Sequence, residues 1–143
     1  KQAREMGIMQ PILGPDGFAN STLVELAGAD NVDNVFYASH FTPNSEDPKV
    51  QEFLAAFEAE YGKPADSFAA LAYDAAQLVF DAIANADSTD PQAITDALAA
   101  TEDFEGVTGT FSFDENHNPI KSAFVIELQD GVEVGNSVVE PAK

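Results

Sequence analysis

Short apolar runs along this chain alternate with longer segments in which apolar residues recur every three or four positions. Near the start of the chain, the runs at 8–13 and 35–38 predict two short strands. Between them, the segment 20–28 begins with the cap residues Asn20 and Ser21 and ends at a glycine, which predicts a helix. A strand, a helix and a second strand in this order are typical of α/β folds.

Three further helices are predicted in the middle of the chain, each opened by a cap residue. Asp47-Pro48 and Asp90-Pro91 both place an aspartate before a proline at the first helical position. Between them, the segment 68–86 is capped by Asp66 or Ser67 and is rich in alanine. Its apolar residues lie on most sides, so we expect this helix to be buried against a sheet or between helices.

The pattern changes after Gly106 to alternation of apolar and polar positions. This alternation predicts strands at 110–113, 123–128 and 132–134. The last residues, Glu140 to Lys143, are expected to be frayed. Helices and strands alternate along the chain, but the strands are too few for a complete doubly wound sheet.

The sequence begins in the middle of a predicted element. Residues 1–7 carry cations before a glycine, as in the last turns of a helix, and lack a cap of their own. Together with the small number of strands, this leads us to expect that the chain is a piece of a longer protein, with any targeting segment outside it.

Composition narrows the possible partners. The chain has 143 residues, no cysteine, and 25 acidic against 6 basic residues, a formal charge of −19. Nucleic acids and anionic membranes would repel such a chain, so neither is expected as a partner. No stretch approaches the roughly 20 apolar residues of a membrane span. The lack of cysteine excludes disulfides, thiolate catalysis and thiolate metal sites.

The sequence contains no recognisable catalytic constellation. Both histidines, His40 and His117, lie in polar loop or turn segments, where exposed or structural roles are the commoner ones. A nucleophile elbow, a phosphate loop, a dinucleotide fingerprint and a zinc-type histidine pair are all missing from the sequence. The turn at 114–119 begins like a calcium loop but lacks its glycine and its closing glutamate. We therefore expect neither an enzyme nor a bound metal or cofactor.

One polar residue is a candidate for binding: Asp16, in the turn Gly14–Gly17. This turn lies between a predicted strand and a predicted helix, where open α/β sheets collect their ligands. The proline fixes one backbone dihedral and Gly17 permits a positive one, so the carboxylate is held in a tight turn. No basic residue lies nearby in the sequence. Asp16 is either a solvated turn residue or an acid that awaits a cationic group.

Several motifs occur in an order and spacing that cover nearly the whole chain. They are Lys1–Gly7 and Gly14–Gly17, then Leu26–Gly28, then Phe57–Pro64 and Phe68–Ala75, and finally Phe104–Gly109 and Phe113-Asp114. In this order they resemble the C-terminal part of branched-chain amino-acid-binding proteins, the extracytoplasmic receptors of ABC importers. The resemblance implies an α/β, three-layer type I periplasmic-binding-protein fold, present here as an incomplete C-terminal portion of both lobes.

The resemblance implies a receptor whose two lobes close on a ligand like a hinged clamp. Residues 1–39 would belong to lobe 2, residues 40–122 to lobe 1, and residues 123–143 would return to lobe 2. The chain would cross the hinge near 39–48 and again near 118–123. The helices of lobe 1 would then pack on a sheet supplied mostly by the N-terminal half of the same protein.

The same resemblance gives roles to four residues. Asp16 would pair with the α-ammonium group of an amino-acid ligand, at a position where the family often has glutamate, and Gly17 would let the backbone approach that ligand. Phe68 matches an aromatic residue that lines the side-chain pocket, with packing at the helix start as the alternative. Tyr73 is a further candidate contact, with packing in the lobe core as its alternative. The groups that grip the ligand carboxylate would lie in the N-terminal half.

The function implied by the resemblance is that of a solute-binding subunit for an amino acid, branched-chain or similar, that performs no catalysis. Its partners would be the amino-acid ligand, the membrane subunits of an ABC transporter and the N-terminal half of the same protein. The location would be periplasmic or extracellular, with a lipid anchor in a Gram-positive bacterium. Two alternatives stay open: the ligand-sensing domain of a receptor or regulator of the same fold, and a binder of an amide, urea or aromatic acid.

Overall fold

The computed structural model describes residues 1–141, and the end of the predicted frayed segment, Ala142 and Lys143, lies outside the described residues. The helices among these residues are α1 (Gln2–Glu5), α2 (Ser21–Ala27), α3 (Pro48–Tyr61), α4 (Ser67–Ala86) and α5 (Pro91–Ala99). The strands in the same part of the chain are β1 (Ile12–Gly14), β2 (Val35–Ser39), β3 (Phe104–Gly106), β4 (Gly109–Phe113), β5 (Pro119–Ile120), β6 (Ala123–Gln129) and β7 (Val132–Val139). Short 3-10 turns follow β1 and α2, at Asp16–Phe18 and Ala29–Asn31.

Strands from both ends of the chain share one sheet. Its order is β1-β2-β6-β7, with β1 parallel to β2 and the following pairs antiparallel. The strands β3, β4 and β5 form a separate three-stranded antiparallel sheet. The helices α3, α4 and α5 lie between β2 and β3 in the chain, so the middle of the sequence builds a different part of the molecule from its two ends.

Each of these two parts has its own hydrophobic core. On the four-stranded sheet, the core consists of Ala19, Val32, Val35, Tyr37, Ile126 and Leu128, with α2 packed over them. The other core consists of Phe41, Val50, Phe53, Ala65, Ala70 and Val107, from α3, α4 and the segments around them. The rings of Phe41 and Phe53 meet edge to face with their centroids 6.2 Å apart. The two cores therefore divide the chain close to residue 40 and again between Val107 and Ile126.

The helix starts are those that the cap residues predict. The side chains of Asn20, Asp47, Asp66 and Asp90 each accept a hydrogen bond from a backbone N–H in the first turn of the following helix. Each bond satisfies a donor that has no partner inside the helix. The predictions for α2, α3, α4 and α5 are confirmed.

The strand predicted at 8–13 is wrong over its first four residues, because β1 begins only at Ile12. The guanidinium of Arg4 donates hydrogen bonds to the carbonyl oxygens of Ile8, at 2.6 Å, and Gln10, at 2.9 Å. These backbone groups are satisfied by a side chain and do not pair with a strand. The sequence also does not predict β3, β5 or the second half of β7, of which β3 and β5 pair with β4 and β7 pairs with β6.

The helix α4 is less buried than its composition predicts, since the side chains of Val79 and Phe80 are 40% and 62% exposed. By length and composition alone this 20-residue helix could cross a membrane, since an 18-residue window of it has a mean hydropathy of 1.2, contrary to the expectation that no stretch approaches a span. Asp74 in its middle is nevertheless buried, and its carboxylate accepts hydrogen bonds from the backbone N–H groups of Val107 and Thr108. That side of the helix packs against protein.

Candidate functional site

Asp16 lies two residues after the last residue of β1, at the carboxyl end of a strand that runs parallel to β2. Parallel strands end at the same edge of a sheet, so the Asp16 turn and the end of β2 at Ser39 lie along one edge. Asp16 and Gly17 are both exposed. Within the described part of the chain Asp16 forms no ion pair. Its carboxylate is therefore available to a cationic group.

The turn that carries Asp16 is held by the residues around it. The backbone N–H of Ala19 donates to the carbonyl oxygen of Asp16 at 2.9 Å, and the side chain of Asn20 donates to that of Gly17 at 2.8 Å. The ring of Phe18 lies over Gly14 so closely that a Cβ at that position would overlap it. Glycine is thus required at the end of β1 for the ring to pack there.

Phe68 is the second residue of α4, and its side chain is 50% exposed. The residue before it, Ser67, places its hydroxyl oxygen 3.4 Å from the hydroxyl oxygen of Ser39. This contact joins the start of α4 to the end of β2. Phe68 therefore lies next to the edge of the sheet that also bears the Asp16 turn.

Tyr73 lies further along α4, where its ring packs on Phe53 with the centroids 5.0 Å apart. Both residues line a groove beside α3 that also includes Phe57 and Tyr61. Tyr73 thus packs on one face against Phe53, while its side chain stays 43% exposed.

A cavity of about 640 Å³ lies between the four-stranded sheet and the start of α4. Its walls include Phe18, Asn20, Tyr37, Asp66, Ser67 and Glu133, from both parts of the molecule. Within the described chain, none of the four candidate residues (Asp16, Gly17, Phe68 and Tyr73) lines this cavity. Two of them are sequence neighbours of residues that do, because Gly17 precedes Phe18 and Phe68 follows Ser67.

Glu133 is a polar residue of this cavity that the sequence analysis does not single out. Tyr37 donates its hydroxyl to Glu133 Oε1 at 2.8 Å, and Thr42 donates its hydroxyl to Oε2 at 3.3 Å. Burial and the neighbouring Glu133 carboxylate raise the pKa of Tyr37 well above its ordinary value. In the sequence, only the position of Tyr37 within the strand β2 indicates this contact. A tyrosine that faces inward from a strand needs a hydrogen-bond partner for its buried hydroxyl.

The segments at 39–48 and 118–123 touch each other. His40 Nδ1 lies 3.3 Å from the carbonyl oxygen of Ser122, so the ring donates if its proton is on Nδ1. His117, in contrast, lies in a tight turn with a positive φ of 64°. Among the described residues, no group of three histidine, aspartate or glutamate side chains is placed to hold a metal ion. The arrangement supports binding by polar and apolar contacts.

Asp74, in the middle of α4, forms a second buried polar cluster. Its carboxylate accepts hydrogen bonds from Val107 N, Thr108 N and Thr108 Oγ1 at 2.8, 2.8 and 2.6 Å. Lys121 donates to Thr108 Oγ1 at 2.6 Å, and burial lowers the pKa of this lysine. The cluster joins α4 to the β3–β4 connection and to the segment before β6. Its hydrogen bonds give it a structural role.

Comparison with known proteins places the chain in a family. A family model described as periplasmic binding protein matches residues 1–133. Among curated proteins, the leucine-, isoleucine-, valine-, threonine- and alanine-binding protein of Pseudomonas aeruginosa is 31% identical over 115 residues, which are 80% of this chain and 30% of that protein.

Two solved structures share the fold closely. The branched-chain amino acid transporter substrate binding protein LivJ of Streptococcus pneumoniae, in complex with isoleucine, is 41% identical with a TM-score of 0.88. The leucine binding protein LivK of Thermotoga maritima is 32% identical, also with a TM-score of 0.88. Each match covers 98% of this chain and 40% of the other. The chain therefore spans less than half the length of these relatives.

These similarities confirm the predicted α/β type I periplasmic-binding fold and its partial extent. The relatives are ABC transporter substrate-binding proteins and amino-acid-binding proteins, which are not enzymes, in agreement with the sequence analysis. Proteins of this family are extracytoplasmic. On the match over residues 1–133 and the shared fold, this chain belongs to the periplasmic binding protein family.

Proposed function

We propose that this chain is the C-terminal part of a solute-binding receptor of an ABC importer, which binds a branched-chain or similar amino acid between two lobes. The observation that carries the proposal is the 41% identity, over nearly the whole chain, to a substrate-binding protein whose structure contains isoleucine. Family membership makes the class of function a binding one, and the Asp16 turn supplies a carboxylate suited to an amine.

The proposed lobes follow the sheet pairing. Residues 1–39 and 123–143 belong to lobe 2, and the pairing of β2 with β6 supports this division. Residues 40–122 belong to lobe 1, which contains α3–α5 and β3–β5. The two hinge crossings lie near 39–48 and 118–123, where His40 contacts Ser122. Closure of the lobes about this point would bring the Asp16 turn towards the start of α4.

Ligand recognition is proposed to centre on Asp16. An amino acid carries a permanent ammonium group at neutral pH, and its enclosure between lobes requires an anionic partner. Asp16 is exposed, has no ion pair among the described residues and lies at the ligand-collecting edge of the sheet. Gly17 lets the backbone approach the ligand, and Phe68 contributes an exposed ring to the side-chain pocket. Tyr73 stays a prediction, and its packing on Phe53 favours a structural role.

The partners follow from the same proposal. The membrane subunits of an ABC transporter would receive the amino acid, and the N-terminal half of the protein would complete both lobes. The receptor would act in the periplasm, or outside the cell on a lipid anchor in a Gram-positive bacterium. The formal charge of −19 opposes binding to nucleic acid.

The proposal is tested by calorimetry on the complete two-lobed protein with L-isoleucine, comparing the wild type with Asp16→Ala. We expect wild-type binding, and affinity weaker by about 100- to 10,000-fold in the variant, because an enclosed ammonium loses its partner. Asp30→Ala is the matched control, since Asp30 is an exposed acid in the 3-10 turn after α2 and the change in charge is the same. This control should bind as the wild type does.

The outcomes separate the alternatives. Near-unchanged affinity in Asp16→Ala would remove the role of Asp16. Binding of benzoate or urea in preference to every branched-chain amino acid would replace the proposed ligand class. Amino-acid binding by a protein whose remaining sequence carries a DNA-binding or signalling domain would favour the sensor over the importer subunit.

A further inference from the structure

We propose that Asn20 is a positioning residue for the Asp16 turn, and that it sets the affinity for the ligand ammonium group through Asp16. The inference rests on the proposed function, since it takes Asp16 as the ammonium anchor. From the sequence, Asn20 is only a helix cap. In the structure its side chain also reaches back to the turn that carries the carboxylate.

The two polar atoms of the Asn20 side chain are divided between the helix and the turn. Oδ1 accepts the backbone N–H of Thr22 at 3.0 Å and so caps α2. Nδ2 donates to the carbonyl oxygen of Gly17 at 2.8 Å. The backbone N–H of Asn20 donates to the carbonyl oxygen of Phe18 at 2.8 Å. One side chain therefore ties the residue after Asp16 to the first turn of α2.

The backbone conformation of Gly17 depends on the hydrogen bond from Asn20 more than that of a residue with a side chain would. Glycine has the widest choice of backbone conformations, and no atom lies within 4 Å of the place where its Cβ would be. The carbonyl of Asp16 is held by the backbone N–H of Ala19, and the carbonyl of Gly17 by the side chain of Asn20, while the ring of Phe18 packs over Gly14. A charge-assisted contact with an ammonium group requires a fixed direction of the carboxylate.

Asn20→Ser separates the two functions of the side chain. Serine caps helices about as well as asparagine, but its shorter side chain has no amide nitrogen to donate to Gly17. We expect a melting temperature close to that of the wild type, and L-isoleucine binding weaker by about 3- to 10-fold, as for the loss of one hydrogen bond.

Asn31→Ser is the matched control. Asn31 Nδ2 donates to the carbonyl oxygen of Ala27 at 2.8 Å, beyond the far end of α2. The same substitution there removes an equivalent hydrogen bond away from Asp16. We expect it to leave the affinity for L-isoleucine unchanged.

A double-mutant cycle on the complete two-lobed protein distinguishes positioning from a general structural effect. If Asn20 acts through Asp16, Asn20→Ser weakens binding in the wild type but has no further effect in an Asp16→Asn background. A structural role would weaken binding by the same factor in both backgrounds, which would overturn the proposal, as would unchanged affinity in the single variant. Unchanged affinity in Asp16→Asn alone would instead overturn the proposed role of Asp16.

Asn20→Asp provides a second variant in case the serine variant does not fold. Aspartate keeps the cap and the shape of asparagine but cannot donate to Gly17. Its added negative charge by itself would attract an ammonium group. Weaker L-isoleucine binding in spite of that charge would support the proposal, and equal or tighter binding would count against it.

Discussion

Tyr37 is a buried phenol whose ionisation is tied to folding. Its side chain is 4% exposed, and its hydroxyl donates to Glu133 at 2.8 Å. Burial, and then the Glu133 carboxylate, raise its pKa above the ordinary value of 10.0. Because the folded pKa lies above the unfolded one, the stabilising contribution of the neutral phenol is fully present below pH 10. It is lost as the pH rises further, through the folded value.

We expect Tyr37→Phe to remove the tyrosine that ionises at the highest pH, which alkaline titration of the phenolate absorbance measures as a lost final step. At neutral pH the free energy of unfolding should fall by about 1 kcal/mol, since one hydrogen bond is lost and Thr42 still donates to Glu133. Tyr61→Phe removes an exposed phenol and serves as the control. Loss of that final step in the control, with Tyr37→Phe unchanged, would contradict the account.

Between elements, a buried contact made by Asp74 joins α4 to the connection between β3 and β4. This carboxylate in α4 accepts three hydrogen bonds from Val107 and Thr108, which lie between β3 and β4. A Cβ at Gly106 would overlap the same carboxylate, so the connection is fitted to it. The helix and the hairpin are thus joined by a buried carboxyl group whose removal leaves backbone donors without partners.

We expect Asp74→Ala to lower the free energy of unfolding by about 3 kcal/mol, because two buried N–H groups lose their acceptor. Urea unfolding followed by circular dichroism measures the change. Asp81→Ala is the matched control, since Asp81 is an exposed acid on the same helix and its loss should alter stability by less than about 0.5 kcal/mol. Similar costs for the two variants would show that the hydrogen bonds of Asp74 are not the cause.

Elements whose signals are local are predictable from the sequence, and those held by distant contacts are not. The caps at Asp47, Asp66 and Asp90 each bond within the following turn, so the sequence predicts the helix starts. The strand predicted at 8–13 fails because Arg4 takes the carbonyl groups at its beginning. At the site, the position of the Asp16 turn follows from its motif. The contact between Tyr37 and Glu133, far apart in the chain, requires the fold.

For the molecule as a whole, the proposed cleft has only part of its walls in this chain. The Asp16 turn and the start of α4 belong to it, while the groups that grip the ligand carboxylate are expected in the N-terminal half. Large apolar side chains are also left uncovered in these residues: Leu13 is 80%, Leu26 77% and Phe80 62% exposed. A ligand gains binding energy from enclosure only when all the walls around it are present, and some of these walls are expected in the N-terminal half.

We therefore expect the isolated 143-residue chain to bind L-isoleucine at least about 100-fold more weakly than the complete protein, since one end of the ligand has no partner. Calorimetry compares the two, after near-ultraviolet circular dichroism has established that the isolated chain is folded. Addition of the separately produced N-terminal part should restore binding, which distinguishes an incomplete cleft from a misfolded one. Micromolar binding by the isolated chain would contradict this expectation, and would mean that the Asp16 turn and α4 hold the ligand without the other walls.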